Sequence, residues 1–226
     1  MRWLTGQLEF RRVGAMGGMK NEFTDRNVSD DFDYLIFITV KEEKKSKKTT
    51  ERVSVPTLQI DKLENVLLYI LERCAGKPNV GETVLYKLLY FSDFNYYELY
   101  EEHLTEASYR KLPYGPVPQK LDAIINPMIA KGQLQRVKTT YGGYLQIRYL
   151  PLEKADLTAF RASEKEVIDR VIEQMSDWSA ATISSYSHKD MPWLASKDGE
   201  EINYELVFYR EASFSVRNYE NEMEEQ

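Results

Sequence analysis

The chain has 226 residues, 42% apolar and 29% charged, with a formal net charge of −6 and a mean hydropathy of −0.52. That length suits one domain with extensions or two small domains, and the apolar fraction is enough for a substantial core. A single cysteine, Cys74, excludes intrachain disulfides and zinc sites built on several thiolates, and no apolar run approaches the ~18 residues of a membrane helix.

Residues 1–20 contain basic side chains but no sustained apolar stretch, so no signal peptide is read there, and a cytoplasmic protein is expected. Gly14, Gly17 and Gly18 beside Met16 and Met19 suggest a flexible leader over residues 1–31. Residues 32–60 suggest a small β element. Tyr34, Leu35, Ile36, Phe37 and Ile38 make one β-prone run, and Val53, Val55, Leu58 and Ile60 a second that Pro56 confines to an edge. The basic stretch between them, Lys41 to Lys48, reads as a solvated loop, with a nucleic-acid contact as the sharper alternative.

The main domain is expected over residues 61–210, followed by an acidic tail over 211–226. Its first helix starts near Asp61, which stands three residues before Glu64 as in a capping box. Leu63, Val66, Leu67, Ile70 and Leu71 follow helical spacing until Gly76 and Pro78. Cys74 falls among these apolar positions, where a buried, inert thiol is expected. The second helix, over 82–101, is apolar nearly all round. Leu85, Leu88, Leu89, Tyr96 and Leu99 share one face, Tyr86, Tyr90, Phe94, Tyr97 and Tyr100 the next, and only Lys87 and Glu98 remain as a polar edge. Such a helix belongs at the centre of a domain. Asp93 is its odd member, expected near Tyr86, Tyr97 and Tyr100 and in need of hydrogen-bond partners.

Three prolines in the run from Pro113 to Pro118 make a stiff, non-helical connection, after which Pro118 opens a helix reaching Lys131 that Pro127 kinks or shortens. Residues 134–150 alternate as a hairpin around Gly142-Gly143. Helix, turn, helix and hairpin is the order of a winged-helix module. Ser163 and Glu166 suit a capping box for the next helix, Ser179 caps a shorter one running to His188, and Met191-Pro192-Trp193 breaks the chain. The apolar run from Tyr204 to Tyr209 reads equally as helix or strand. The fold class is therefore mainly α with a small β-hairpin, α+β.

Catalytic chemistry has little material. His103 and His188 are the only histidines, neither in a metal-binding pattern, and no nucleophile elbow or phosphate loop occurs. Nothing in the sequence brings Cys74 and His188 together. No catalytic residue, metal or cofactor is expected, and a binding protein is the better reading. Charge suggests where. Seven basic residues between Arg110 and Arg148 face only Asp122, a net of +6 that leaves −12 for the rest of the −6 chain. Arg136, Lys138 and Arg148 are the candidates for nucleic-acid contact. The acidic remainder suits a basic protein partner.

Three segments carry a family resemblance. Lys87-Leu88-Leu89-Tyr90-Phe91-Ser92-Asp93-Phe94-Asn95-Tyr96-Tyr97 resembles the central helix of the Panacea, or SocA-like, antitoxin domain. Tyr109 with Tyr114-Gly115-Pro116-Val117-Pro118 resembles that family's Tyr-Gly-Pro segment, and Ser187-His188-Lys189-Asp190-Met191-Pro192-Trp193, after Ser179-Ala180, is similar to its late motif. The likeness spans roughly residues 63–210 and leaves the first 60 without a match. It implies a mainly helical domain with a small hairpin that serves as the antitoxin of a bacterial or phage toxin–antitoxin pair and neutralises a cognate toxin by direct binding. One relative acts instead as an adaptor that delivers its toxin to a protease. The resemblance supplies no catalytic residues. Tyr114, Gly115, Pro116, His188, Pro192 and Trp193 are the partner-binding candidates, each also open to a structural role in a turn or a helix end. The alternative function is a winged-helix DNA-binding regulator, one that controls its own operon.

Overall fold

The computed structural model describes residues 58–217. The expected leader, nearly all of the expected β element and the end of the acidic tail lie outside them. Ile60, expected to finish a strand, instead opens the first helix.

The chain folds as α+β, with two antiparallel two-stranded sheets among its helices. Helix α1 (Ile60–Arg73) leads to α2 (Glu82–Tyr100), then to strands β1 (Tyr109–Leu112) and β2 (Gly115–Pro118). Helix α3 (Leu121–Ala130) precedes β3 (Leu134–Tyr141) and β4 (Tyr144–Pro151). Helices α4 (Ala162–Met175), α5 (Ala180–Ser187) and α6 (Met191–Ala195) follow, and a 3-10 helix spans Tyr204–Tyr209. No helix among the described residues is long and apolar enough to cross a membrane.

As its sequence requires, α2 runs through the middle, touching α1, α4, α5, β2, β4 and the last 3-10 helix. Leu85, Leu88, Tyr90, Phe94, Tyr96 and Tyr97 are all at most 1% exposed. The expected polar edge is absent. Lys87 and Glu98 are as buried as the leucines, because β2 and α5 cover the first and Arg210 pairs with the second. Cys74 is buried, and burial pushes its thiol up to about 11, which keeps it protonated and inert.

Several expected helix boundaries move. Helix α1 begins one residue early, after Gln59, whose side chain makes no capping bond, and Glu64 turns instead toward Lys131 at 3.7 Å. The capping carboxylate of α4 is Glu164, not Glu166. It accepts from the Arg161 backbone N–H at 2.7 Å and from Lys62 at 2.5 Å, and the lysine draws it into the interior. Ser179 caps α5 as expected, accepting from the Thr182 N–H at 3.1 Å. The Met191-Pro192-Trp193 segment is not a break but the start of α6, where a proline in the first turn lacks only an N–H that would have no intrahelical partner. Helix α3 begins at Leu121, beyond Pro118, and continues past Pro127 to Ala130. Pro127 and Ala123 both lie on the exposed face, so the carbonyl deprived of its N–H partner faces solvent.

The stiff connection is itself a hairpin. Tyr109 pairs with Pro118 and Lys111 with Pro116. Prolines are tolerated there because these positions turn their backbone away from the partner strand. Lys111 donates its N–H to the Glu200 carbonyl, and Tyr109 accepts from the Ile202 N–H on the opposite edge. This hairpin stands where a helix–turn–helix would have a short turn between α2 and α3. The β3–β4 hairpin is as expected. Gly142 and Gly143, at φ 58° and 84°, form the two-residue turn that its tight reversal requires. Its strand β4 is fastened to the α1–α2 connection, Gln146 donating to the Pro78 carbonyl and Arg148 to those of Lys77 and Val80.

Candidate functional site

The structure brings most of the Tyr-Gly-Pro and late-motif residues together. Gly115 starts β2 with φ +100°, and its backbone presses so closely on the core that an added Cβ would lie 2.5 Å from Ser187 Oγ and 2.8 Å from Lys87 Cε. A side chain at position 115 would therefore adopt a strained backbone conformation and force Ser187 or Lys87 to move. Pro116 and Pro192 are buried, whereas Tyr114 projects from the hairpin tip, 78% exposed. His188 caps the end of α5 and stacks on Trp193, ring centroids 4.3 Å apart and planes 15° apart. Lys111, from β1, lies over the same indole at 4.0 Å.

This corner is rich in donors and poor in acceptors. Lys87 is 1% exposed and forms no hydrogen bond or ion pair with another described residue; burial brings its ammonium down to about 8. His188 Nε2 and Trp193 Nε1 are buried and likewise without hydrogen-bond partners. Burial lowers the His188 pKa below the ordinary imidazole value, and the positive charges of Lys87 and Lys111 lower it further. The sequence pointed to His188, Trp193 and Gly115. It missed Lys87, taken for a solvated edge, and Lys111, because contacts between β1, α2 and α6 leave no periodic trace.

A second polar centre is structural. The Arg210 side chain is 1% exposed and donates to both oxygens of Asp190 at 2.7 and 2.8 Å, to Glu98 at 2.7 Å and to Asn95 at 2.8 Å. Tyr90 adds a bond to Asp190 at 2.8 Å. Asp93 is fully buried, held by Thr105 and by Tyr109 at 2.5 Å rather than by Tyr86, Tyr97 or Tyr100. Burial pushes its carboxyl up to about 7, outweighing the hydrogen bonds that favour the charged form.

The molecule also presents a groove of about 570 Å³ between the tip of the β3–β4 hairpin and the starts of α2 and α5. Tyr144 and Leu145, 80% and 73% exposed, form its outer lip with Tyr141, while Gly81, Glu82, Val84 and Ala180 form its wall. Two tyrosines and a leucine bracketing a Gly-Gly turn were visible in the sequence, but alternation alone does not tell an exposed aromatic from a buried one. The expected nucleic-acid residues are largely engaged within the chain. Arg136 pairs with Asp122 at 3.1 Å and lies over Tyr149, Arg148 is tied to backbone carbonyls, and Lys138 is exposed with no ion pair to a described residue.

The described residues form an α+β domain wrapped around one apolar helix, with two hairpins. Residues 85–194 match the family described as antitoxin SocA-like, Panacea domain. The match runs from α2 through Trp193 and so takes in the Lys87–Trp193 corner and most of the groove. No curated protein and no solved structure matches the chain.

Proposed function

We propose that this protein is an antitoxin that neutralises a cognate toxin by direct protein–protein binding, acting in the cytoplasm without catalytic chemistry of its own. The observation that carries this reading is the Panacea-domain match across residues 85–194. The β3–β4 groove is the surface best suited to the contact. Exposed Tyr144 and Leu145 beside a concave wall offer the aromatic and aliphatic anchors on which protein interfaces depend. Tyr114 is a second exposed anchor.

The DNA-binding alternative draws less support, since Arg136 and Arg148 are already engaged in the fold. Co-expression with the product of the neighbouring reading frame tests the proposal through growth rescue. Rescue that Tyr144→Ser and Leu145→Asp abolish, with unchanged thermal stability, is the expected result. Absence of rescue by the unaltered chain, with both proteins expressed, would overturn the antitoxin reading. Rescue that persists in both variants would remove the groove from it.

A further inference from the structure

We infer that Lys87, His188 and Trp193 form an oxyanion-binding site at the junction of α2, α5 and α6. Lys87 is only 1% exposed and makes no hydrogen bond or ion pair with any described residue. A buried charge without a partner costs several kcal/mol, so a fold that retains one has a reason to do so. Two further polar atoms in this corner, His188 Nε2 and Trp193 Nε1, are buried without partners. An indole N–H only donates, an ammonium only donates, and the imidazole donates through Nε2 in one of its two neutral tautomers. The corner thus collects donors and positive charge with nothing to receive them.

The remaining charges nearby strengthen this reading. Lys111 lies against the indole, donates to the Ser196 carbonyl at 3.1 Å and adds a second cation that His188 senses. Its carboxylate partner, Asp198, stands 3.5 Å away with a side chain 95% exposed, where water screens it. Asp190, two residues from His188, is held by Arg210 and Tyr90. Gly115 fits the same purpose, because any side chain there would collide with Lys87 and Ser187. The complementary ligand is a compact anion with several acceptor oxygens, either a carboxylate or a phosphoryl group.

The test uses the full chain, titrated separately with acetate and with inorganic phosphate at constant ionic strength set by sodium chloride. The readout is the Trp193 indole N–H resonance, identified by its loss in Trp193→Phe. A saturable shift is expected, weakened roughly tenfold or more in Lys87→Met, since a charge-assisted hydrogen bond is lost. A response to acetate alone identifies a carboxylate site, and a response to phosphate a phosphoryl site. Identical titrations in Lys87→Met and the parent chain, or no shift with either ion, would overturn the inference. Should Lys87→Met fail to fold, the His188 titration in the parent chain decides. Bound anion raises its midpoint by offsetting Lys87 and Lys111, and an unmoved midpoint at high anion concentration counts against the site.

Discussion

Arg210 holds two carboxylates in an interior from which all three side chains exclude water, each being at most 1% exposed. Replacing it with methionine keeps much of the apolar stem and removes the four hydrogen bonds to Asp190, Glu98 and Asn95. Asp190 and Glu98 are then left buried and facing each other across the lost guanidinium. Breaking a buried ion pair from one side costs about 3–5 kcal/mol, a large part of the ~5–15 kcal/mol that stabilises a typical domain. With a urea slope of about 1–3 kcal/mol per molar, the unfolding midpoint should fall by about 1 M or more, as followed by circular dichroism. Arg170→Met provides the contrast. Its partner is Glu166 in a surface pair whose side chains are 65% and 56% exposed, and such pairs contribute under about 1 kcal/mol. Neutralising the acids as well, in Arg210→Met/Asp190→Asn/Glu98→Gln, should restore much of the loss, because the penalty lies in the stranded charges rather than in the missing arginine. A midpoint for Arg210→Met within about 0.3 M of Arg170→Met would refute this account of the core.

Asp93 should make stability depend on pH. Its folded-state pKa is raised from 3.8 to about 7, so the folded chain holds a proton that the unfolded chain releases near pH 4. Its contribution is fully present below pH 4 and is lost as pH rises through 7, after which it is flat. Urea midpoints at pH 5 and pH 8 should therefore shift in favour of Asp93→Asn as pH rises, and a constant gap between variant and parent would contradict the assignment. Gly115→Ala should lower the melting temperature by more than Gly132→Ala does. Both adopt positive φ, at a cost of about 1–2 kcal/mol for a side chain, but only Gly115 also meets Ser187 and Lys87. Equal losses in calorimetry would show that the close approach carries no energetic weight.

The elements that could be read in advance were those whose cause is local. The apolar circumference of α2 announced a central helix, and Gly142-Gly143 announced the β3–β4 turn, because helical period and turn stereochemistry act over a few residues. The β1–β2 hairpin was hidden by its prolines, since their harmlessness depends on which edge Tyr109 and Lys111 turn toward Glu200 and Ile202, far along the chain. Lys87 and Glu98 were misjudged for the same reason. A charged residue on an apolar helix looks like its wet side until a partner such as Arg210, 112 residues away from Glu98, comes into place. Within the candidate site, the stacked His188–Trp193 pair lies inside one short motif and was accessible, whereas the unpartnered state of Lys87 is a property of three dimensions alone.

The immersion of α2 has a bearing on how such a domain can diversify. The residues that give it a recognisable signature, Leu88 to Tyr97, are spent on the interior, each at most 5% exposed. The outer rim, with Tyr114, Tyr144 and Leu145, is attached to that interior by hairpin turns whose tips bear little of the packing. Scaffold and exposed rim are thus mechanically separate parts. New side chains on the tips would change the surface the domain presents without disturbing the frame that holds them.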